Sequence, residues 1–345
     1  MSESKKTEIL NFIQTHTSCS TGEIHKEFVT SISYSTVKRL LSQLLTKKYI
    51  ISEGKGKGTK YLISPSYELL YSIDLDSYYE KEIDERKIKE DFNFDVFELI
   101  DRSKILNKSE LSKLNDLQEK YSENISHLTD FEFKKELERL AIDLSWKSSQ
   151  IEGNTYSLLE TERLLKDKET AAGKTNEEAI MLLNHKVAID FITENPDYLI
   201  PLSISKIEDI HSLLIKELPV DKNLRKRRVG ISGTNYRPLD NEFQIREALE
   251  YTCKLVNKKE NIFEKALLIL VLISYIQPFM DGNKRTARIV SNAILMNYKH
   301  CPLSFRTVDS VDYKKAMLLF YEQNNISRFK DIFINQFEFA VKTYF

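Results

Sequence analysis

The residues with the clearest capacity for chemistry lie in one run, YIQPFMDGNKRTARIV, residues 275–290. Pro278 ends the apolar helix that precedes it, and after Asp281-Gly282-Asn283 the chain restarts as a new helix from Lys284. The turn is therefore a helix N-terminus, where unpaired N–H groups and the positive end of the helix dipole make a seat for an anion. Gly282 allows close approach of a phosphate group, and Arg285 and Arg288, three apart, share a helix face from which two guanidinium forks can grip further phosphate oxygens. Asp281 stands at the mouth, where a carboxylate beside a polyphosphate would hold Mg²⁺. A plainer assignment is available for each: Asp281 as a helix cap, and the arginines as partners of surface acids.

Two helices must position this loop. The upstream one, FEKALLILVLISYIQPF, is apolar nearly all round and reads as a fully buried helix. The other is FEFKKELERLAIDLSWKSSQIEGN, residues 131–154, which stops at Gly153-Asn154. Ser148 and Glu152 share the face of its last turn, and Glu152 puts a negative charge at the negative end of the helix dipole. That placement calls for a cation nearby, unless the side chain points into water at a cost of up to about 1 kcal/mol. His185 and His211 lie on amphipathic helices, where a hydrogen-bonded, partly buried imidazole is the common outcome, and neither is given a catalytic role.

QPFMDGNKRTAR resembles the Fic family signature, H-P-F-x-D/E-G-N-G/K-R-x-x-R, at every place but the first. SSQIEGN resembles the inhibitory motif of that family, S/T-x-x-x-E-G/N, and RRVGISGTNYRPLD resembles the flap hairpin that its members lay along a target peptide, so the resemblance spans roughly residues 100–340. It implies a helical enzyme that transfers AMP from ATP, with Mg²⁺ or Mn²⁺, to a Ser, Thr or Tyr hydroxyl of another protein or of itself, and it implies a homodimer. It further implies that Asp281 binds the metal, that Gly282, Asn283 and Lys284 line the phosphate seat, and that Arg285 holds the β-phosphate. Arg288 would hold the γ-phosphate, or pair with Glu152 when the inhibitory segment (Ser148, Glu152, Gly153) is docked. Phe279 would anchor the loop, and Val229, Gly230, Ile231 and Ser232 would form the flap. Lys284 replaces the commoner glycine in the Asn-Lys-Arg order of the related Doc kinases; Gly282 and Arg288 favour AMP transfer, with phosphoryl transfer as the alternative. Gln277 occupies the place of the family's histidine, the general base. A carboxamide is not a base near pH 7, and losing a general base typically lowers rate by about 10² to 10⁴.

Upstream of this region, KKTEILNFIQTH, STGEIHKEF and SYSTVKRLLSQLLTKKYI read as three short helices, the second with a capping box at Ser20 and Glu23, the third opening at Ser33 or Ser35. YIISEGKGKGTKYLIS follows as a hairpin around a Gly-Lys turn. That order resembles a winged helix-turn-helix domain. Residues 1–66 carry ten Lys and Arg against five Glu and no Asp, a charge of about +5 in a chain whose formal total is −1. Lys38 and Arg39 on the third helix, with Lys55, Lys57 and Lys60 in the wing, would face the phosphates of duplex DNA; the same fold also serves for protein docking.

With nine Gly and seven Pro in 345 residues, the chain is expected to be mainly α: a Fic-type helical bundle with a short β-hairpin flap, preceded by a small winged helix. The expected division is a winged helix over 1–66, a connector over 67–100, a helical region with the inhibitory helix over 101–190, and the Fic core over 191–345. The acidic, aromatic stretch 74–95 reads either as a flexible linker or as a helix packed on the next domain. Three cysteines without a C-x-x-C pair fit a reducing compartment, and the lack of an apolar run long enough to span a bilayer fits a cytoplasmic protein. Three functions are compatible with these readings: the first is an autoinhibited AMP transferase impaired at residue 277, and the second an ATP-sensing, DNA-binding regulator with a non-catalytic Fic domain. A protein-docking module without nucleotide chemistry is the third.

Overall fold

The computed structural model describes residues 2–345; Met1 and the side chains of Ser2, Glu3 and Lys57 lie outside the described residues. The chain opens with α1 (Ser2–His16), β1 (Cys19–Ser20), α2 (Thr21–Glu27), α3 (Tyr34–Thr46), β2 (Ile50–Glu53) and β3 (Lys60–Ile63). The capping box of α2 forms as its sequence requires, and Ser33 caps α3, which turns Val37, Leu40, Leu41 and Leu44 into the core. β3 is the middle strand of an antiparallel sheet, with Ile50 opposite Ile63 on one side and Cys19 opposite Tyr61 on the other. β1 had no sequence signal, because two residues are too few to show an alternation.

The stretch that follows is docked rather than flexible. It contains α4 (Tyr67–Leu70), α5 (Leu75–Tyr79) and α6 (Asp95–Arg102). Tyr49 packs against Tyr67 and Tyr71 with ring centroids 5.8 and 5.4 Å apart, and Lys48 Nζ donates to the carbonyls of Lys104 and Leu106 at 3.0 and 2.8 Å. Further along, Arg86 forms a buried ion pair with Glu322 at 3.2 Å and donates to Gly233 O at 2.8 Å. Tyr78 Oη donates to the same Glu322 at 2.7 Å, and Phe92 stacks on Tyr275.

The remaining helices are α7 (Lys108–Ser126), α8 (Asp130–Ile151), α9 (Leu158–Asp167), α10 (Asn176–Glu194), α11 (Ile204–Leu214), α12 (Glu242–Lys258), α13 (Ile262–Ile276), α14 (Asn283–Asn297), α15 (Ser310–Gln323) and α16 (Ser327–Tyr344). α13 is the centre of the bundle, buried from Phe263 to Ile276. Its two buried charges are satisfied: Glu264 accepts from Leu106 N at 3.0 Å, and Lys265 donates to the carbonyls of Val256 and Asn257 at 2.9 and 3.1 Å. The expected flap hairpin does not form. Among the described residues, 222–240 contain no strand, and their one bridge pairs Arg237 with Asp91 of the connector. The flap's Arg-Pro and Gly-rich sequence leaves few residues able to sustain a ladder, and its side chains find partners outside the segment instead.

Candidate functional site

α13 stops at Gln277, which takes a left-handed conformation (φ 51°), and α14 starts after Gly282, also left-handed (φ 80°). A side chain at 282 would be strained, and its Cβ would meet the His211 ring at 3.4 Å, so only glycine fits the turn. No side chain caps the α14 N-terminus; Asp281, which could have, turns instead to Arg285 Nη2 at 2.9 Å. The loop is braced from inside by Asn283. Its Oδ1 accepts from Phe279 N at 2.8 Å, and its Nδ2 donates to Phe279 O and to Gln277 Oε1 at 2.8 and 3.0 Å.

Gln277 is half-buried and its amide is fully engaged. Besides accepting from Asn283, it donates to Ser274 O at 2.7 Å and to Tyr321 Oη at 3.3 Å. His211, expected from its amphipathic helix to be a packed imidazole, is buried, stacks on Phe279 at 3.6 Å between centroids, and faces Asp281 O from Nε2 at 2.9 Å. Burial pushes its pKa down to about 4, so it is neutral and can act as donor to the loop carbonyl.

The C-terminus of α8 closes the site. Glu152 caps it, followed by Gly153 in a left-handed turn. Glu152 Oε1 accepts from Arg288 Nη2 at 3.0 Å and Oε2 from Lys284 Nζ at 3.1 Å, so the cation demanded by the helix dipole is present twice over. Lys284, expected in the phosphate seat, is thus spent on Glu152 here. Ser148 completes the clasp: its Oγ accepts from Arg288 Nε at 2.7 Å, its carbonyl accepts from Nη2 at 2.9 Å, and His185 Nε2 lies 2.7 Å from the same Oγ. Burial pushes the Glu152 carboxyl up, but Arg288 and Lys284 outweigh it and hold the pKa below the ordinary value. His185, buried beside Arg288 and Arg285, is held well below the usual imidazole range.

The electrostatics are those of an anion site. Arg285 and Arg288 are both fully buried, and among the described residues Arg285 Nε and Nη1 and Arg288 Nη1 have no hydrogen-bond partner. Buried guanidinium donors without acceptors are costly, and a polyphosphate seated at the open N-terminus of α14 would supply acceptors. Metal coordination has less to work with: among the described residues no three His, Cys, Asp or Glu gather to hold an ion, so Mg²⁺ would need Asp281 and the phosphates together.

Residues 201–295 match the Fic/DOC family profile, and residues 3–120 match that of the Penicillinase repressor family. The chain carries a Fic domain. Protein adenylyltransferase Fic of Nematostella vectensis is 29% identical over 175 residues, 49% of this chain and 40% of that protein. The Drosophila melanogaster protein of the same name is 24% identical over 163 residues, 46% of this chain and 33% of its own length. This chain thus spans well under half of those relatives. Its fold is that of Fic-1 from C. elegans (TM-score 0.60, 20% identity, 68% of this chain and 72% of that one). It is also that of a Fic domain containing signaling protein from Bacteroides thetaiotaomicron (TM-score 0.56, 19% identity, 67% and 94%).

Flanking the Fic motif is Arg225, a residue the sequence did not single out. Buried, it donates Nε to Gln277 O at 2.5 Å, Nη2 to Ile276 O at 3.3 Å, and its N–H to Pro278 O at 3.0 Å. It is one cation in a basic run, and nothing in the spacing marks it out. The flap residues Val229 and Ile231 are half-buried, with Gly230 and Ser232 exposed. At the far end of the chain's N-terminal module, Lys38 and Arg39 are exposed on α3 and Lys55 in the wing, while the Lys57 side chain lies outside the described residues. No helix among the described residues is long and apolar enough to cross a membrane.

Proposed function

We propose that this chain is a Glu152-gated protein AMP transferase, acting on Ser, Thr or Tyr hydroxyls, with turnover held down by Gln277. The observation that carries the reading is the pair of buried arginines with unsatisfied donors beside an uncapped helix N-terminus. ATP with Mg²⁺ would supply the transferable AMP group and neutralise phosphate charge; Asp281 would hold the metal, residues 282–284 the phosphates through their N–H groups, and Arg285 and Arg288 the outer oxygens. Glu152 occupies Arg288 and Lys284 with a carboxylate where a terminal phosphate would otherwise lie, so it gates the site by competition. Gln277 orders the loop but offers no lone pair of sufficient basicity to take a hydroxyl proton. The names of the relatives, protein adenylyltransferases, support the same reaction class.

The test is a calorimetric titration with ATP and Mg²⁺ of the parent and of Glu152→Gly. Binding strengthened in the variant is expected; no binding to either would sink the reading.

A second reading has its own support. The Gln277 amide is engaged on both sides, by Asn283 at its oxygen and by Ser274 O and Tyr321 Oη at its nitrogen, the state of a structural clamp, and the repressor-like module exposes Lys38 and Arg39 on α3. In that reading the Fic domain binds ATP without turnover and the winged helix binds duplex DNA.

A further inference from the structure

The basic run that contains Arg225 has a defined place in the structure. In residues 222–228, five of seven are cationic: Lys222, Arg225, Lys226, Arg227 and Arg228. Two sets of contacts lay the run alongside the motif loop. At one end His211 stands between Lys222 O, 3.3 Å from Nδ1, and Asp281 O, 2.9 Å from Nε2. At the other, Arg225 is hydrogen-bonded to the carbonyls of Ile276, Gln277 and Pro278. The run therefore passes antiparallel to residues 276–282, with 222 beside 281 and 225 beside 277 and 278, and borders the mouth of the site along its length.

The charges on this border are unequal in their partners. Arg225 is buried, hydrogen-bonded to the carbonyls of Ile276, Gln277 and Pro278 and, within the run, of Arg227; Lys226 pairs with Glu242 at 3.4 Å, and Arg228 pairs with Asp240 at 3.2 Å. Lys222 and Arg227 are exposed and make no ion pair among the described residues, and the nearby Asp221 is engaged with Asn223. Asp281, the acid at the mouth, is committed to Arg285. Two free cations are thus held at the entrance by an anchored backbone. Beside them, Val229 to Ser232 make no backbone–backbone hydrogen bond among the described residues, which leaves N–H and C=O groups for an extended chain, and Met280 is 44% exposed.

We propose that this border is a docking surface for an acidic, extended protein segment, with Lys222 and Arg227 as the residues that select it. The proposal rests on the AMP-transfer reading for the identity of the hydroxyl the segment would carry, but not for its charge. An extended peptide fits better than duplex DNA because the cations flank unpaired main chain in an irregular segment, where there is no helix or ribbon to enter a groove.

The test uses fluorescent twelve-residue peptides with a central Thr, flanked either by Asp and Glu or by Asn and Gln, titrated onto the full chain by anisotropy. The acidic peptide should bind about tenfold more tightly at low salt, with the difference shrinking as salt is raised. Lys222→Glu with Arg227→Glu should abolish the preference while leaving the melting temperature unchanged, since both side chains are exposed. Equal binding of the two peptides overturns the proposal, as does a preference that survives the double charge reversal, or a short duplex that binds this border when the acidic peptide does not. ATP binding, measured in parallel, separates the two readings: a charge preference without ATP binding sinks AMP transfer alone, and ATP binding without the preference sinks only the acidic partner.

Discussion

Glu152 Oε1 lies 3.0 Å from Arg288 Nη2, with the two side chains 17% and 0% exposed, so the C-cap residue of α8 is fixed to the second turn of α14 by a nearly buried ion pair. Removing one partner of such a pair typically costs about 3 to 5 kcal/mol, and less where the survivor keeps other acceptors, as Arg288 keeps Ser148. Glu152→Gly is therefore expected to lower stability by about 1 to 3 kcal/mol without nucleotide and to tighten ATP binding about tenfold or more, so that ATP restores the melting temperature. Unchanged ATP affinity in this variant would show that Glu152 does not compete for the site.

Residue 277 and residue 152 control different steps, the proton and the seating of phosphate, so their substitutions should be strongly non-additive in rate. Gln277→His alone should give weak AMP transfer, Glu152→Gly alone almost none, and the two together a rate higher by about 10² or more, on the scale of a restored general base. Incorporation of label from the α-phosphate of ATP, into the chain itself or into a lysate, measures all four variants. A double variant as silent as the parent would move the ATP-sensor reading to first place.

The buried imidazoles set a pH dependence. His211 is held at about 4 and His185 well below 6.5, so in both cases the unfolded chain takes up a proton before the fold does. Their stabilising contribution is complete above about pH 6.5 and declines as pH falls, with a limiting slope of about 1.4 kcal/mol per pH unit for each histidine, until His211 itself is protonated near 4. Glu152, whose pKa is lowered, adds its own loss only below its ordinary value of 4.5. Urea midpoints at pH 7, 6 and 5 should fall progressively, and His211→Asn should flatten the curve by about one proton. A flat profile between pH 7 and 5 would contradict the burial of neutral imidazoles.

The ion pair of Arg86 and Glu322 ties the connector to α15, the helix that also carries Tyr321 against Gln277. Arg86→Met or Glu322→Leu should each destabilise by about 3 kcal/mol by leaving the other charge buried, whereas the double substitution should recover much of the loss. Limited proteolysis should cut within residues 74–95 in the single variants before it does in the parent. Single substitutions without effect on either measure would mean that the connector is held by its aromatic contacts.

Exposed Lys38, Arg39 and Lys55 predict binding of duplex DNA by the full chain, weakening steeply with salt as phosphate counterions are displaced. Charge removal at Lys38 and Arg39 should reduce affinity about tenfold and make the salt dependence shallower in a mobility-shift series. A complete lack of shift at low salt would favour protein docking for the N-terminal module.

The features legible from sequence were those governed by short-range order. The α2 capping box, the all-buried α13, and the helix restart after Gly282 each follow from a few neighbouring residues, whereas the charge of Glu152 at a helix C-terminus left two outcomes open, a nearby cation or exposure to water. What no local pattern could decide was which distant groups would meet. Arg225 reaches carbonyls some fifty residues away, Arg86 finds Glu322 across the chain, and Lys284 turns from the phosphate seat to Glu152. The acidic, aromatic connector would look the same in sequence whether solvated or docked, and the flap's residues allowed a hairpin that tertiary partners replaced with irregular chain. The physical reason is that helix starts, stops and apolar faces are fixed within a turn or two by backbone geometry and burial. A side-chain charge, by contrast, is satisfied by whichever partner the packing brings within about 3 Å, and only the folded chain specifies that.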